Sequence, residues 1–238
     1  MTLDKSPETI SSMFDALAKR YDLMNDIMTA FSHRRTRRFA LRLTRFGPGK
    51  SVLDLATGTG DFAFLLHLSG GHTSKVVGVD LSEQMLAVAR VSARRKGIDK
   101  DAITFLRGDI SNLPFPDDMF DVCTISYGIR NVQNIHRVLK EALRVTKRGG
   151  TFVIVEATRP VQPVIRFMIN FYFSRIVPIV ASLFSSSPQA YDYFVRSVES
   201  FPFPDIFAKM MERAGWFKVR YFPKLLGSVT VFQGFKKR

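Results

Sequence analysis

A short apolar run, broken by one carboxylate and closed by two glycines, constrains this chain more than any other stretch: Val52-Leu53-Asp54-Leu55-Ala56-Thr57-Gly58-Thr59-Gly60-Asp61. Val52 to Ala56 read as a buried parallel strand. Gly58 and Gly60 permit a sharp turn and a backbone that a ligand can approach closely. Helical spacing resumes at Phe62, Leu65 and Leu66. Strand, glycine turn and helix open a nucleotide-binding βαβ unit, which commits the chain to a parallel sheet covered by helices. Gly58, Gly60 and Ala63 also fit the pyrophosphate pattern G-x-G-x-x-A, so the glycines alone do not choose a ligand. Asp54, four positions before Gly58, separates the readings. An anion there opposes a phosphate and suits a ligand with a free ammonium group. The alternative is that Asp54 merely caps the turn.

The following segments repeat the alternation. Lys75–Asp80 is a second strand ending in a carboxylate, and Asp80 follows Gly58 by about the 20 residues expected of an acid that holds ribose hydroxyls. Ser82 caps a helix carrying Met85, Leu86 and Ala89 and closed by Gly97. Ile103–Leu106 is a third strand, followed by Gly108-Asp109-Ile110. Asp121–Ile125 is a fourth, followed by Ser126-Tyr127-Gly128-Ile129-Arg130-Asn131. A helix with Ile135, Val138, Leu139, Ala142 and Leu143 ends at a turn, Lys147–Gly150. Thr151–Val155 is a fifth strand with Glu156 just beyond it. The expected fold class is therefore α/β, a doubly wound, mostly parallel sheet with its ligand at the carboxyl edge.

Upstream, Ser6 and Pro7 open a helix in which Ile10, Met13, Phe14, Leu17 and Ala18 recur at helical spacing through about Tyr21. Six arginines follow between Arg34 and Arg45, interleaved with Phe39, Leu41 and Leu43. They read either as a solvated helix face or as a basic amphipathic segment that rests on an anionic surface. The whole chain of 238 residues carries +14, which favours anionic partners. RNA is one such partner, yet no added RNA-binding module or base-reading motif is visible, and no nucleic acid is expected. A single cysteine, Cys123, excludes an internal disulfide and fits a reducing compartment. With no apolar signal region at the N-terminus, the expected location is the cytoplasm, either free or peripheral at the inner face of the membrane. The four histidines show no ligand spacing, so no metal site is expected.

Asp54, Asp80 and Asp109 all fall at the carboxyl ends of strands. Three carboxylates around one nucleotide site suit a ligand with an ammonium group, ribose hydroxyls and an adenine amine, and they oppose a pyrophosphate. S-adenosylmethionine has these features. The motifs Val52–Asp61, Val79–Leu86, Leu113–Asp121 and Arg144–Gly150 resemble those of class I S-adenosylmethionine-dependent methyltransferases. More narrowly, Tyr21-Asp22-x-Met24-Asn25-Asp26, His33-Arg34, Gly128-Ile129-Arg130-Asn131, Tyr191-x-Tyr193 with Ser197, and Met211-x-x-Ala214-Gly215 resemble the ubiquinone/menaquinone biosynthesis C-methyltransferases. The resemblance runs from about residue 12 to the C-terminus.

That resemblance implies a seven-stranded sheet, with strands six and seven near Phe217–Leu226 and Ser228–Phe235 and the last antiparallel. One methyltransferase domain, 1–238, would comprise an N-terminal helical cap (1–47), a cofactor core (48–157), a helical lid (158–200) and a C-terminal helix with a strand pair (201–238). The implied cofactor residues are Asp54, Gly58, Thr59, Gly60, Asp80, Leu81, Asp109, Ile110 and Ser126. A polyprenyl quinol, a demethylmenaquinol or ubiquinol precursor, is the implied acceptor, with Tyr21, Asn25, Tyr127 and Asn131 around it. Arg130 would stabilise the ring phenolate, and His33 or Asp22 would accept the ring proton. Arg130 has an alternative role, pairing with a sheet-edge carboxylate, and His33 an alternative as a buried structural residue. Another small or lipid acceptor, or a cofactor-binding protein with a blocked acceptor site, remains an open reading.

The chain departs from the family at Thr36, where a tryptophan is usual, at Val155-Glu156-Ala157, and at Thr230–Gly234. These stretches are expected to face the substrate. Val161–Phe184 is the most apolar part of the chain, divided by Arg166, Asn170, Arg175 and Pro178, and too interrupted to span a bilayer. Ile165, Met168, Ile169, Tyr172, Phe173 and Ile176 share one helical face, opposite Arg166, Asn170 and Ser174, with Phe167 and Phe171 widening the apolar sector. It reads either as a helix buried against the core or a homodimer partner, or as a lid that covers the quinol and touches an anionic membrane surface.

Overall fold

One seven-stranded sheet organises the computed structural model, which describes residues 3–21, 26, 32–71, 74–172, 175 and 188–238. The strands are β1 (Ser51–Leu55), β2 (Lys75–Asp80), β3 (Ile103–Arg107), β4 (Phe120–Ser126), β5 (Thr146–Ala157), β6 (Phe217–Lys224) and β7 (Val229–Phe235). Their order is β3-β2-β1-β4-β5-β7-β6. Neighbours from β3 to β5 are parallel, and β7 lies antiparallel between β5 and β6. The chain winds outward from β1 in one direction and from β4 in the other. The gap between β1 and β4 is thus the switch point at which such sheets hold ligands.

The described helices are α1 (Pro7–Leu17), α2 (Ser32–Thr44), α3 (Asp61–Gly70), α4 (Glu83–Arg95), α5 (Ile135–Val145), α6 (Pro163–Phe171), α7 (Pro188–Ser200) and α8 (Pro204–Arg213). Successive strand residues point to opposite faces, so the central strands need apolar residues at nearly every position. Leu53, Leu55, Ile125 and Phe152 pack against Leu139 of α5 and Phe207 of α8. Val52, Val76, Val122 and Val153 pack against Ala40 of α2, Phe62 of α3 and Leu86 of α4.

Local signals act as expected at several helix starts. Ser6 Oγ accepts from Thr9 N at the head of α1, and Ser82 Oγ accepts from Met85 N at the head of α4. Ser82 Oγ also donates to Asp15 Oδ1 at 2.5 Å, fastening α1 across the end of α4.

Three expectations change. The turn at Lys147–Gly150 is a bulge inside β5, because Phe120 faces Thr146 and Val122 already faces Thr151. The strand resumes there because Gly149 N donates to Lys236 O and Lys236 N to Gly150 O, so residues beyond β7 complete the pairing. Glu156 lies within β5 and is fully buried, since β7 keeps the strand paired through Ala157. Strand six ends at Lys224, where the chain turns through Leu225 and Leu226, both at positive φ.

Neither reading of the arginine run describes all of it. His33, Thr36, Arg37, Ala40 and Thr44 form a buried stripe on α2, while the other arginines of the run are exposed. On α6 the side that is open to solvent is itself apolar: Val164, Phe167, Met168 and Phe171 are exposed, and Ile165 and Ile169 are half-buried. Met168 therefore faces outward rather than sharing the inward face of Ile165. Phe173, Ser174, Ile176 and Pro178 lie outside the described residues. No described helix is long and apolar enough to cross a membrane.

Gly78, in the middle of β2, makes close packing around the first turn possible. A Cβ there would sit 2.9 Å from both Phe105 Cδ1 and Thr57 Cγ2. Gly78→Ala should destabilise the protein by about 1–3 kcal/mol through overpacking. Urea unfolding that shows no loss would mean Thr57 and Phe105 move aside freely.

Candidate active site

At the carboxyl ends of β1 to β4 a cavity of about 300 Å³ opens under α1. Its floor is the glycine turn after β1. Thr57 N donates to Val79 O, Gly60 N to Thr57 O, and Gly58 N to Asp80 Oδ2 at 2.8 Å. Ala56, Gly58 and Gly60 all have positive φ, so the loop is held in conformations that local propensity alone would not choose. Gly60 starts α3, where a Cβ would meet Phe64 Cζ at 2.9 Å.

Asp54 does not reach the cavity wall. It is 1% exposed, and its two oxygens accept from Thr57 Oγ1 and Thr124 Oγ1, both at 2.7 Å. Burial pushes its carboxyl up to about 6, against the two hydroxyls and Arg37. Its place is beneath the turn, where it fixes Thr57. Thr59 is likewise buried behind the loop. In contrast, Gly58, Asp80, Leu81, Asp109, Ile110 and Ser126 all line the cavity.

Asp80 and Asp109 are organised by backbone amides. Asp80 accepts from Gly58 N on one oxygen and Ser82 N on the other, while burial raises its pKa. The Leu81 amide also bonds this carboxylate, which leaves one lone-pair site for a ligand. Asp109 accepts from Ser111 N at 2.8 Å and Ser111 Oγ at 2.7 Å. Ser126 Oγ accepts from Arg37 Nε at 3.1 Å, and Arg37 Nη1 meets Asp61 Oδ2 at 3.0 Å. The arginine that looked like surface thus ties α2 to the end of β4 and the start of α3.

Tyr21, Tyr127 and Asn131 also line the cavity. Tyr127 has positive φ and a buried hydroxyl without a hydrogen-bond partner among the described residues. Asn131 Oδ1 accepts from Tyr193 Oη at 3.3 Å, and burial pushes the Tyr193 phenol up to about 12. Asp22 and Asn25 lie outside the described residues.

Arg130 is turned away from the cavity. Its Nη1 donates to Glu156 Oε1 at 2.7 Å and to the Tyr127 carbonyl, and its Nε donates to Ser197 Oγ. Burial opposes the guanidinium charge and Glu156 outweighs it, so the pKa is raised. The role of phenolate partner passes to the alternative, a structural pairing, because a strand-five carboxylate already neutralises the charge. His33 is buried on the inner stripe of α2 and is not on the wall; burial and Arg37 lower its pKa. Its Nε2 lies 3.6 Å from Asp26 Oδ1.

Sequence reasoning did not single out Lys5, Ile10, Phe14 or Met85, which also line the cavity. The helical spacing of α1 carried a signal, since Ile10 and Phe14 share one face. Nothing local indicated that the face covers a ligand site. The departures from the family are packing changes, not cavity walls. Thr36 is buried in α2, Thr230 meets Thr158 Oγ1 at 2.8 Å, and Gln233 Nε2 donates to Leu43 O at 2.7 Å.

The Asp54 shift carries a sign. An unfolded aspartate titrates near ~3.9, so a folded value of about 6 means that the fold holds this proton more tightly. The contribution of Asp54 to stability therefore falls as pH rises from about 4 to 6 and is level above that. Asp54→Asn should remove this component, worth about 3 kcal/mol. Urea unfolding across that range should show a shallower decline in the variant; identical profiles would overturn the assignment.

The profile of the ubiE/COQ5 methyltransferase family matches residues 2–236. A demethylmenaquinone methyltransferase of Mycobacterium marinum is 39% identical, covering 98% of this chain and 96% of its own. A ubiquinone/menaquinone biosynthesis C-methyltransferase of Shewanella pealeana is 34% identical over 98% of this chain and 92% of its own. The fold is shared with the complex of a Haloferax volcanii methyltransferase activator and a methyltransferase, with a TM-score of 0.68, 20% identity, and coverage of 96% and 97%. Matched from one end to the other, and with its carboxylates gathered at the switch point, the chain belongs to the ubiE/COQ5 methyltransferase family.

Proposed function

We propose that the protein is an S-adenosylmethionine-dependent C-methyltransferase that methylates the ring of a polyprenyl quinol, a demethylmenaquinol or ubiquinol precursor, in quinone biosynthesis. The observation that carries the reading is the full-length family match on a chain whose switch-point cavity presents Asp80 and Asp109. The donor set fits the cofactor. The Asp80 carboxylate on the cavity wall suits the ribose hydroxyls, Asp109 and Ile110 suit an adenine, and the glycine turn leaves room for the amino-acid end. When bound, S-adenosylmethionine supplies an electrophilic methyl group on a sulfonium.

The chain's own contribution is alignment and electrostatics. α1 roofs part of the cavity with Ile10 and Phe14. Asp54 adds negative charge below the turn, which favours a cationic ligand above it. Tyr21, Tyr127 and Asn131 form the wall against which a planar ring is oriented. Transfer makes a carbon–carbon bond to the quinol ring, breaks the sulfonium S–CH₃ bond with its electrons passing to sulfur, and releases the ring proton.

A long isoprenoid tail favours a site near a bilayer. The exposed apolar side of α6 supports peripheral attachment to an anionic membrane, with the exposed Arg166 beside it. Val161 and Leu226 extend this surface, since Gly227 packs on Pro160.

Three experiments test the reading. Incubation with S-adenosylmethionine and a reduced demethyl-quinone should give a product heavier by one methyl in place of hydrogen. Asp80→Asn should weaken cofactor binding at least about tenfold in calorimetry, since charge-assisted bonds are lost. Unchanged affinity in the folded variant would remove Asp80 from the site. Phe167→Ser combined with Phe171→Ser should lower binding to anionic vesicles and turnover of long-tailed quinols, while a short-tailed analogue is still methylated. Loss of both activities together with thermal stability would make α6 ordinary core.

A further inference from the structure

Lys5 precedes α1, and its part-buried ammonium lies on the cavity wall. It donates to the Arg130 carbonyl at 2.6 Å and, more weakly, to Ser200 Oγ at 3.5 Å. Both acceptors are uncharged, and an ammonium has three N–H donors, so one is left for a ligand. A part-buried cation with neutral protein partners is costly until an anion joins it.

The described wall residues include two cations, Lys5 and Arg137. Arg137 is exposed, and its Nε is committed to the Ser111 carbonyl, beside Asp109. Arg130, the nearest other cation, is neutralised by Glu156. Lys5 is thus the cation placed next to the Arg130–Asn131 backbone, at the end of the cavity formed by Tyr127 and Asn131.

We propose that Lys5 is a catalytic residue that binds the ionised ring hydroxyl of the acceptor. The assignment rests on the quinol reading above. The hydroxyl proton leaves to solvent, and the oxygen, held by the ammonium, feeds its electrons into the ring. The neighbouring ring carbon then bonds to the methyl group while the S–CH₃ bond breaks toward sulfur. The resulting dienone oxygen keeps its bond to Lys5, and loss of the ring proton followed by reprotonation of oxygen restores the quinol. Burial and the Arg130 guanidinium also lower the Lys5 pKa, with Glu156 opposing. Such an ammonium gives up more of its hydrogen-bonding capacity to an anion than a fully hydrated one does. Among the described residues, the charged groups that act on it are Arg130 after β4 and Glu156 on β5.

The test uses the full chain with Lys5→Met, which keeps the apolar stem, and Lys5→Arg, which keeps the charge. Lys5→Met should lower kcat on a short-tailed demethyl-quinol by about 10²-fold or more, move the rising limb of its pH profile to higher pH, and leave cofactor affinity in calorimetry within about twofold. Lys5→Arg should recover most of the loss. A second measurement needs no turnover. 2-Hydroxy-1,4-naphthoquinone, whose anion is coloured, should titrate at lower pH when bound to the wild type than when bound to Lys5→Met. A tenfold or greater loss of cofactor affinity in Lys5→Met would instead give Lys5 to the carboxylate of the methyl donor and overturn the proposal. Unchanged kcat, or an unchanged dye titration in a variant that melts like the wild type, would also overturn it. If Lys5→Met does not fold, Lys5→Gln, which keeps a donor and removes the charge, takes its place, and a dye titration at the wild-type pH in that variant overturns the proposal. A wild type that methylates no quinol yet shows the shifted dye titration would refute the quinol reading and leave the anion site standing.

Discussion

The buried ion pair between Arg130 and Glu156 is the joint on which the acceptor side depends. Glu156 is fully buried in β5, and its two oxygens accept from Arg130 Nη1, Arg130 N and Ala157 N. Arg130 in turn reaches the Tyr127 carbonyl and Ser197 of α7, and its own carbonyl receives Lys5 from the N-terminal segment. Four parts of the chain that are far apart in sequence therefore meet on one pair of charges. Such a pair need not add net stability, since desolvation of both ions offsets their attraction. Its effect is specificity: any other arrangement would leave a charge buried alone.

Backbone strain is concentrated at the same gap. β1 and β4 are each followed by a non-glycine residue at positive φ, Ala56 and Tyr127. The two turns touch, because a Cβ on Gly128 would lie 2.5 Å from the Ala56 Cβ. Turning both strands outward opens the switch point, and the hydrogen bonds Thr57 N to Val79 O and Tyr127 N to Val155 O hold the turns in place. The surrounding sheet maintains a geometry that these residues would not adopt alone, which is what a preorganised binding site requires.

Charge and apolar surface are likewise sorted by the fold. The arginines of α2 divide between solvent and a single buried member, Arg37, which links Ser126 to Asp61. Gln233 Nε2 donates to Leu43 O and so ties β7 to α2, Thr230 of β7 meets Thr158 just beyond β5, and Thr36 Oγ1 donates to Ser32 O within α2.

The amino-acid sequence by itself determined the elements whose signals are local. The apolar strands β1 to β5 were legible within a few residues, as were the caps at Ser6 and Ser82 and the glycine turn. So were Asp80, Asp109 and Ser126, because a residue at the carboxyl end of a parallel strand is placed by the strand itself. The side-chain partnerships were not legible. Asp54 reads as a ligand group, and the tertiary structure makes it the acceptor of two threonine hydroxyls, one of them 70 positions away. Arg130 reads either as a phenolate partner or as the partner of a sheet-edge carboxylate, and the fold pairs it with Glu156 of β5. Lys5 carries no motif and acquires its place only through a carbonyl 125 positions on. Periodicity and capping act over a few residues, whereas burial and charge pairing depend on which distant segments the closed sheet brings together. The sequence could therefore name the edge where the site lies, and only the folded chain decided which side chains remained free to act there.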